Sequence, residues 1–122
     1  MNIHFAIPTK DLDKSRAFYE QLGFRYLSKW TKPDQDLSAY WMESDKGVRI
    51  ELVHKPGFVY QRPENIPELL HIALPVERLI DEIDKWQDRG VKILKPITKG
   101  VSVKQFAFIE DPSGFPVELV EY

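Results

Sequence analysis

Residues 2–8 read NIHFAIP and residues 69–75 read LLHIALP. The two stretches lie 67 positions apart, and the same spacing runs through the rest of the chain. His4 falls on His71, Ala6 on Ala73, Pro8 on Pro75, Leu12 on Leu79, Gly23 on Gly90 and Leu27 on Leu94. Farther on, Thr31 falls on Thr98, Lys32 on Lys99, Glu43 on Glu110 and Gly47 on Gly114, and Glu51-Leu52-Val53 falls on Glu118-Leu119-Val120. Thirteen of the fifty-five pairs from Met1/Glu68 to Lys55/Tyr122 are identical, with no gap. Unrelated sequences of average composition would match at roughly 6%. The chain therefore reads as one unit written twice, over about 1–55 and about 68–122. The connector from His54 to Leu70 is marked by Pro56, Gly57, Pro63 and Pro67.

Each copy has the same local grammar. The opening run is short, apolar and stopped by a proline, which is the pattern of a strand. A helical period follows, with Leu12, Ser15, Phe18, Tyr19 and Leu22 on one face in the first copy and Leu79, Ile83 and Trp86 in the second. Gly23 and Gly90 stand where a left-handed cap ends a helix. Three strands are then expected in each copy, over 24–30, 37–44 and 48–54, and over 91–95, 103–110 and 115–121. The unit is βαβββ. Two of them give an α+β fold with a cupped mixed sheet and helices outside, in one domain over 1–122.

Composition removes several function classes. The 122 residues are 43% hydrophobic and 30% charged, the balance of a folded globule rather than a disordered segment. A net charge of -2 leaves no basic footprint for nucleic acid or anionic membrane. With no cysteine, thiol nucleophiles, disulfides and zinc–thiolate sites are excluded. No apolar run approaches the roughly 18 residues of a membrane span, and MNIHFAIPTKDLDK lacks the form of a signal peptide. A cytoplasmic protein is expected.

Strand parity assigns the faces. Ile3, Phe5 and Ile7 form a row expected to pack on the helix, and His4 and Ala6 point the other way. His71 and Ala73 likewise oppose Ile72 and Leu74. In 48–54, Arg49, Glu51 and Val53 oppose Ile50 and Leu52; in 115–121, Glu118 and Val120 oppose Val117 and Leu119. Any one of these polar groups could simply be the wet side of a sheet. Histidine recurring with histidine and glutamate with glutamate at one offset points instead to a site. Two imidazoles and two carboxylates suit a divalent metal with open positions for water or substrate. His54 has the parity of Ile50 and no histidine counterpart, so a structural or exposed role is expected. Trp30, Tyr40, Trp41, Tyr60, Phe106 and Phe108 read first as sheet and core aromatics, and second as the walls of a cup that shelters a small molecule.

Paired βαβββ modules, a His in the first strand and a Glu in the last strand of each, and the segment FIEDPSGFPVELVEY at 108–122 resemble the vicinal oxygen chelate superfamily. Within it the pattern is similar to the glyoxalase I (lactoylglutathione lyase) group, across essentially the whole chain. Asp111-Pro112-Ser113-Gly114 followed by Glu118 is the most specific piece. The resemblance implies one metal, Ni, Co, Mn or Zn, on His4, Glu51, His71 and Glu118, and a substrate that chelates it through adjacent oxygens. It implies a hemithioacetal of a 2-oxoaldehyde, isomerised through an enediolate, with Glu118 first and Glu51 second as catalytic base. A homodimer with sites built from both chains, acting on a small-molecule substrate, is the implied assembly. Other superfamily enzymes (epimerase, thiol transferase, dioxygenase) and a small-molecule binding or resistance protein are the alternative readings. Bacterial members of the glyoxalase I group carry an arginine where this chain has Pro8 and an asparagine where it has Lys55. Those side chains hold glutathione, so a smaller thiol adduct or a different oxygen chelator is expected here.

Overall fold

The opening runs do become edge strands, each laid parallel to the last strand of its own copy. The computed structural model describes residues 3–63 and 66–122. Asn2, at the start of the first expected strand, and Glu64 and Asn65 in the connector lie outside the described residues. Two compact units divide the chain, Met1–Tyr60 and Gln61–Tyr122.

The first unit runs β1 (His4–Pro8), α1 (Leu12–Glu20), β2 (Phe24–Lys32), β3 (Leu37–Ser44) and β4 (Arg49–His54). Its sheet has the order β1-β4-β3-β2, with β1 parallel to β4 and the other pairs antiparallel. Asp11 caps α1, accepting the Lys14 N–H at 3.0 Å, which satisfies one of the helix's orphan donors. Ser15, buried on the inner face of α1, is paired with the Thr9 hydroxyl. Gly23 leaves the helix at φ +94, a conformation that side chains rarely adopt. Ile7, Tyr19, Met42, Ile50 and Leu52 are each 1% exposed or less and form the layer between helix and sheet. Each such side chain contributes about 1.5–3 kcal/mol by leaving water.

The second unit repeats the plan with β5 (Ile72–Pro75), α2 (Leu79–Asp88), β6 (Ile93–Lys99), β7 (Gln105–Glu110) and β8 (Pro116–Glu121), in the order β5-β8-β7-β6. Leu79, Ile83 and Trp86 are buried, as the helical period predicts. The turn before β8 is built by Asp111, whose Oδ1 accepts the N–H groups of Ser113 and Phe115, each at 2.8 Å. Gly114 sits at φ +88 in the same turn.

Three expectations change. Ile3 and Phe5 do not pack under the helix; they are 70% and 52% exposed, and only Ile7 of that row is buried. The cause is reach: α1 packs against β2, β3 and β4, and β1 lies at the sheet edge beyond them. The run 69–75 starts as a 3-10 turn, Pro67–Leu69, and becomes strand only at Ile72. The strand expected over 91–95 continues to Lys99 through Pro96. It is the edge of its sheet, where a missing N–H costs no ladder bond, and bulges flank Lys95.

Candidate functional site

On the face of the first sheet away from α1, the register lines side chains into rows. One row is Arg25, Glu43, Arg49 and His4, running from β2 to β1. The next is Ser28, Trp41, Glu51 and Ala6, and the third is Trp30, Ala39, Val53 and Pro8. The parity argument thus holds for His4 and Glu51, which share a face. The second sheet carries the same pattern: Glu110 opposes Pro116; Lys95, Phe108, Glu118 and Ala73 form the next row; Thr98, Phe106, Val120 and Pro75 form the third.

Beside each histidine stands an aromatic ring that is the cross-strand partner of the glutamate. Trp41 is the cross-strand partner of Glu51, and the His4 ring meets it edge-on with centroids 4.9 Å apart. Phe108 is the partner of Glu118, and the His71 ring meets it edge-on at 5.0 Å. Trp41 and Phe108 are themselves 67 positions apart. Counting identities passes over this pair because the residue types differ; counting aromatic with aromatic would find it. Each unit therefore holds a histidine, an aromatic and a glutamate in one arrangement. Among the described residues, neither unit alone gathers three His, Asp or Glu side chains into a metal cluster.

The second unit shows the chemistry most clearly. His71 Nδ1 lies 3.1 Å from the Glu68 carbonyl oxygen. A carbonyl only accepts, so Nδ1 carries the proton and, in the neutral ring, Nε2 presents its lone pair. That lone pair faces Glu118 Oε1 at 3.4 Å. Two lone-pair donors facing each other at this separation are the kind of pair that a bound cation bridges. Fixing the far nitrogen on a backbone carbonyl is also how metal-ligating imidazoles are oriented. The two side chains are 25% and 19% exposed, shielded but reachable by a small ligand. This donor set fits a divalent ion.

The first unit differs in detail. Glu51 Oε2 accepts the Trp30 indole N–H at 2.8 Å, which leaves Oε1 for another partner. Sequence gave no signal for this bond, because a bulge in β2 between Tyr26 and Ser28 sets which way Trp30 points. Tyr40 donates its hydroxyl to Asp13 at 2.8 Å, and that bond holds its phenol above the ordinary value of 10.0. Tyr40 therefore belongs to the helix side and not to a cup. His54 Nδ1 lies 3.0 Å from the Thr9 carbonyl oxygen, the structural role expected of it. The Lys55 ammonium donates to the Gln35 carbonyl at 2.7 Å. With Pro8, Ala6, Val53, Leu37 and Phe58, Lys55 lines a mainly apolar hollow.

Comparison with known proteins agrees with this fold. Residues 3–119 match the model of the Glyoxalase/Bleomycin resistance protein/Dioxygenase superfamily. A Synechocystis protein named as a probable lactoylglutathione lyase is 36% identical, over 98% of this chain and 93% of that protein. A lactoylglutathione lyase of Escherichia coli O157:H7 is 30% identical, over 98% and 90%. The trypanothione-dependent glyoxalase I of Leishmania major superposes with a TM-score of 0.76 at 28% identity, covering 99% of this chain and 86% of that one. Fold, repeat and relatives converge, and the chain belongs to the Glyoxalase/Bleomycin resistance protein/Dioxygenase superfamily as a glyoxalase-type member.

Proposed function

We propose that the protein is a metal-dependent lyase or isomerase of the glyoxalase type, acting on a small substrate with adjacent oxygens such as the thiol hemithioacetal of a 2-oxoaldehyde. The observation that carries this reading is the His71–Glu118 pair, in which the ring is locked by a backbone carbonyl and its lone pair faces a carboxylate at 3.4 Å. His4, Glu51, His71 and Glu118 are the residues that would hold Ni, Co, Mn or Zn, since imidazole nitrogen with carboxylate oxygen suits each of these ions. A divalent ion bound there supplies positive charge to two neighbouring substrate oxygens and so favours loss of a proton from carbon.

Glu118 takes that proton and returns it to the next carbon. Glu51 is the weaker candidate for the base, because the Trp30 indole already occupies one of its oxygens and restricts its swing. His4 and His71 remain fixed, each ring wedged against an aromatic neighbour. The working form is a homodimer that joins first and second units from both chains, consistent with the open β1 edge and the exposed Ile3 and Phe5 beside it. The test is direct. Protein stripped with a chelator is titrated with each of the four ions by calorimetry, then assayed on a panel of methylglyoxal–thiol adducts. Turnover that needs the ion supports the reading. Full activity in the stripped protein, or ion binding unchanged in His71→Ala, overturns it.

A further inference from the structure

The row Arg25, Glu43, Arg49 and His4 is unlike its counterpart in the second unit. At the shared offset Arg49 corresponds to Pro116, which carries no charge, and Arg25 corresponds to Lys92. Glu43 accepts Arg49 Nε on Oε2 at 2.8 Å and Arg25 Nη2 on Oε1 at 2.7 Å. Two guanidinium groups thus share this carboxylate, whose own side chain is only 12% exposed, while Arg49 is 41% exposed. Glu43 acts as a bracket: its Oε2 fixes the Arg49 side chain through Nε. Cross-strand register sets Arg49 directly beside His4, and Arg49 precedes Glu51 by two positions on one face of β4.

We propose that Arg49, braced by Glu43, recognises a carboxylate of the substrate that lies close to its chelating oxygens. The proposal rests on the metal-site reading above, because it takes the His4–Glu51 face as the place where substrate sits. Two residues along a strand span about 6.6–6.8 Å. Arg49 thus rises from the same face, one side-chain place along from Glu51, and an anion it holds belongs near the atoms held by Glu51 rather than at the far end of a long substrate. The distal carboxylates of a tripeptide thiol lie much farther away than that, and the hollow at Pro8 is mainly apolar, with its Lys55 ammonium turned to the Gln35 carbonyl. The substrate class is a small 2-oxoaldehyde adduct, or related vicinal-oxygen compound, that carries its own nearby carboxylate.

The probes are the methylglyoxal adducts of mercaptoacetate, which bears that carboxylate, and of 2-mercaptoethanol, which is of similar size and neutral. Their affinities for the metal-loaded protein are read by the fluorescence of Trp30 and Trp41, with or without turnover. The mercaptoacetate adduct should bind about 10- to 100-fold more tightly, the range of one charge-assisted pair. In Arg49→Gln that preference should fall to near unity, and in Arg49→Lys it should recover in part. Raising the salt should erode the preference in the wild-type protein, since Arg49 is partly exposed. Circular dichroism checks the fold of each variant, and the wild-type comparison alone decides if Arg49→Gln does not fold. Equal binding of the two adducts, no binding of either, or a preference that survives Arg49→Gln overturns the proposal. If the adducts bind with the expected preference but are never turned over, the glyoxalase reading fails and the carboxylate assignment stands.

Discussion

Trp30 donates its indole N–H to Glu51 Oε2 at 2.8 Å, whereas Thr98, in the matching row of the second sheet, donates its hydroxyl to the Pro96 carbonyl oxygen at 2.8 Å. Two glutamates at equivalent places in two copies of one fold therefore differ in their surroundings. Glu51 is tethered by an indole, and Glu118 Oε1 lies 3.4 Å from His71 Nε2. A ligand should be tethered; a group that must swing between metal and carbon should not be.

Glu118→Gln should lower kcat by about 10²- to 10⁴-fold, the contribution of a positioned proton acceptor, while leaving the circular dichroism spectrum unchanged. Glu51→Gln should act chiefly on ion affinity. Steady-state kinetics at saturating metal separates the two. A larger kcat loss in Glu51→Gln than in Glu118→Gln would reverse the assignment.

Trp30→Phe keeps an aromatic body and removes the N–H. Loss of a partner that orients a metal-binding group commonly weakens the ion by about 10- to 100-fold. Calorimetric titration with Ni or Zn measures it, and unchanged affinity would show that the indole only packs.

Glu43 gives a pH dependence. The hydrogen bond from Arg49, with added attraction from Arg25, holds its carboxyl below the ordinary value of 4.5. A lowered folded value means the stabilisation is present above 4.5 and is lost as pH falls through the folded value. Glu68, held low by its hydrogen bond from Lys95, acts in the same direction. Glu43→Gln should therefore lower the urea midpoint near pH 7, and the gap from wild type should shrink near about pH 3. A gap that is constant with pH would mean the ion pairs add nothing.

Sedimentation of the metal-loaded protein at micromolar concentration should give twice the chain mass. Ile3→Ser with Phe5→Ser should shift the equilibrium to monomer and reduce turnover with it. Full activity at the mass of a single chain would refute a shared site.

The repeat made much of this legible. An offset of 67 with histidine on histidine and glutamate on glutamate gave the succession of elements in each copy and the faces of His4, Glu51 and Glu118, because parity along a strand needs only spacing. What stayed hidden depended on three-dimensional reach. Phe5 has the parity of a core residue, yet α1 does not extend over β1. Trp30 has no periodic signal, yet a bulge aims it at Glu51. Lys55 looks like a free cation in the sequence, but a local carbonyl takes it. The hold on His71 comes from a backbone oxygen, which carries no residue signature at all.

Glu68 couples that hold to the chain around it. Its carbonyl sets the His71 tautomer from within the turn begun by Pro67, and its carboxylate meets Lys95 of β6 at 2.8 Å. An ion that prefers the correctly oriented imidazole must also prefer the ordered turn. Loading the metal to about 1,000 times its dissociation constant would contribute about 4 kcal/mol to that ordered form. With an ion on His71, the end of the connector would be an extension of the coordination sphere, and its local melting would be felt as a loss of affinity at a side chain it never touches except through one carbonyl.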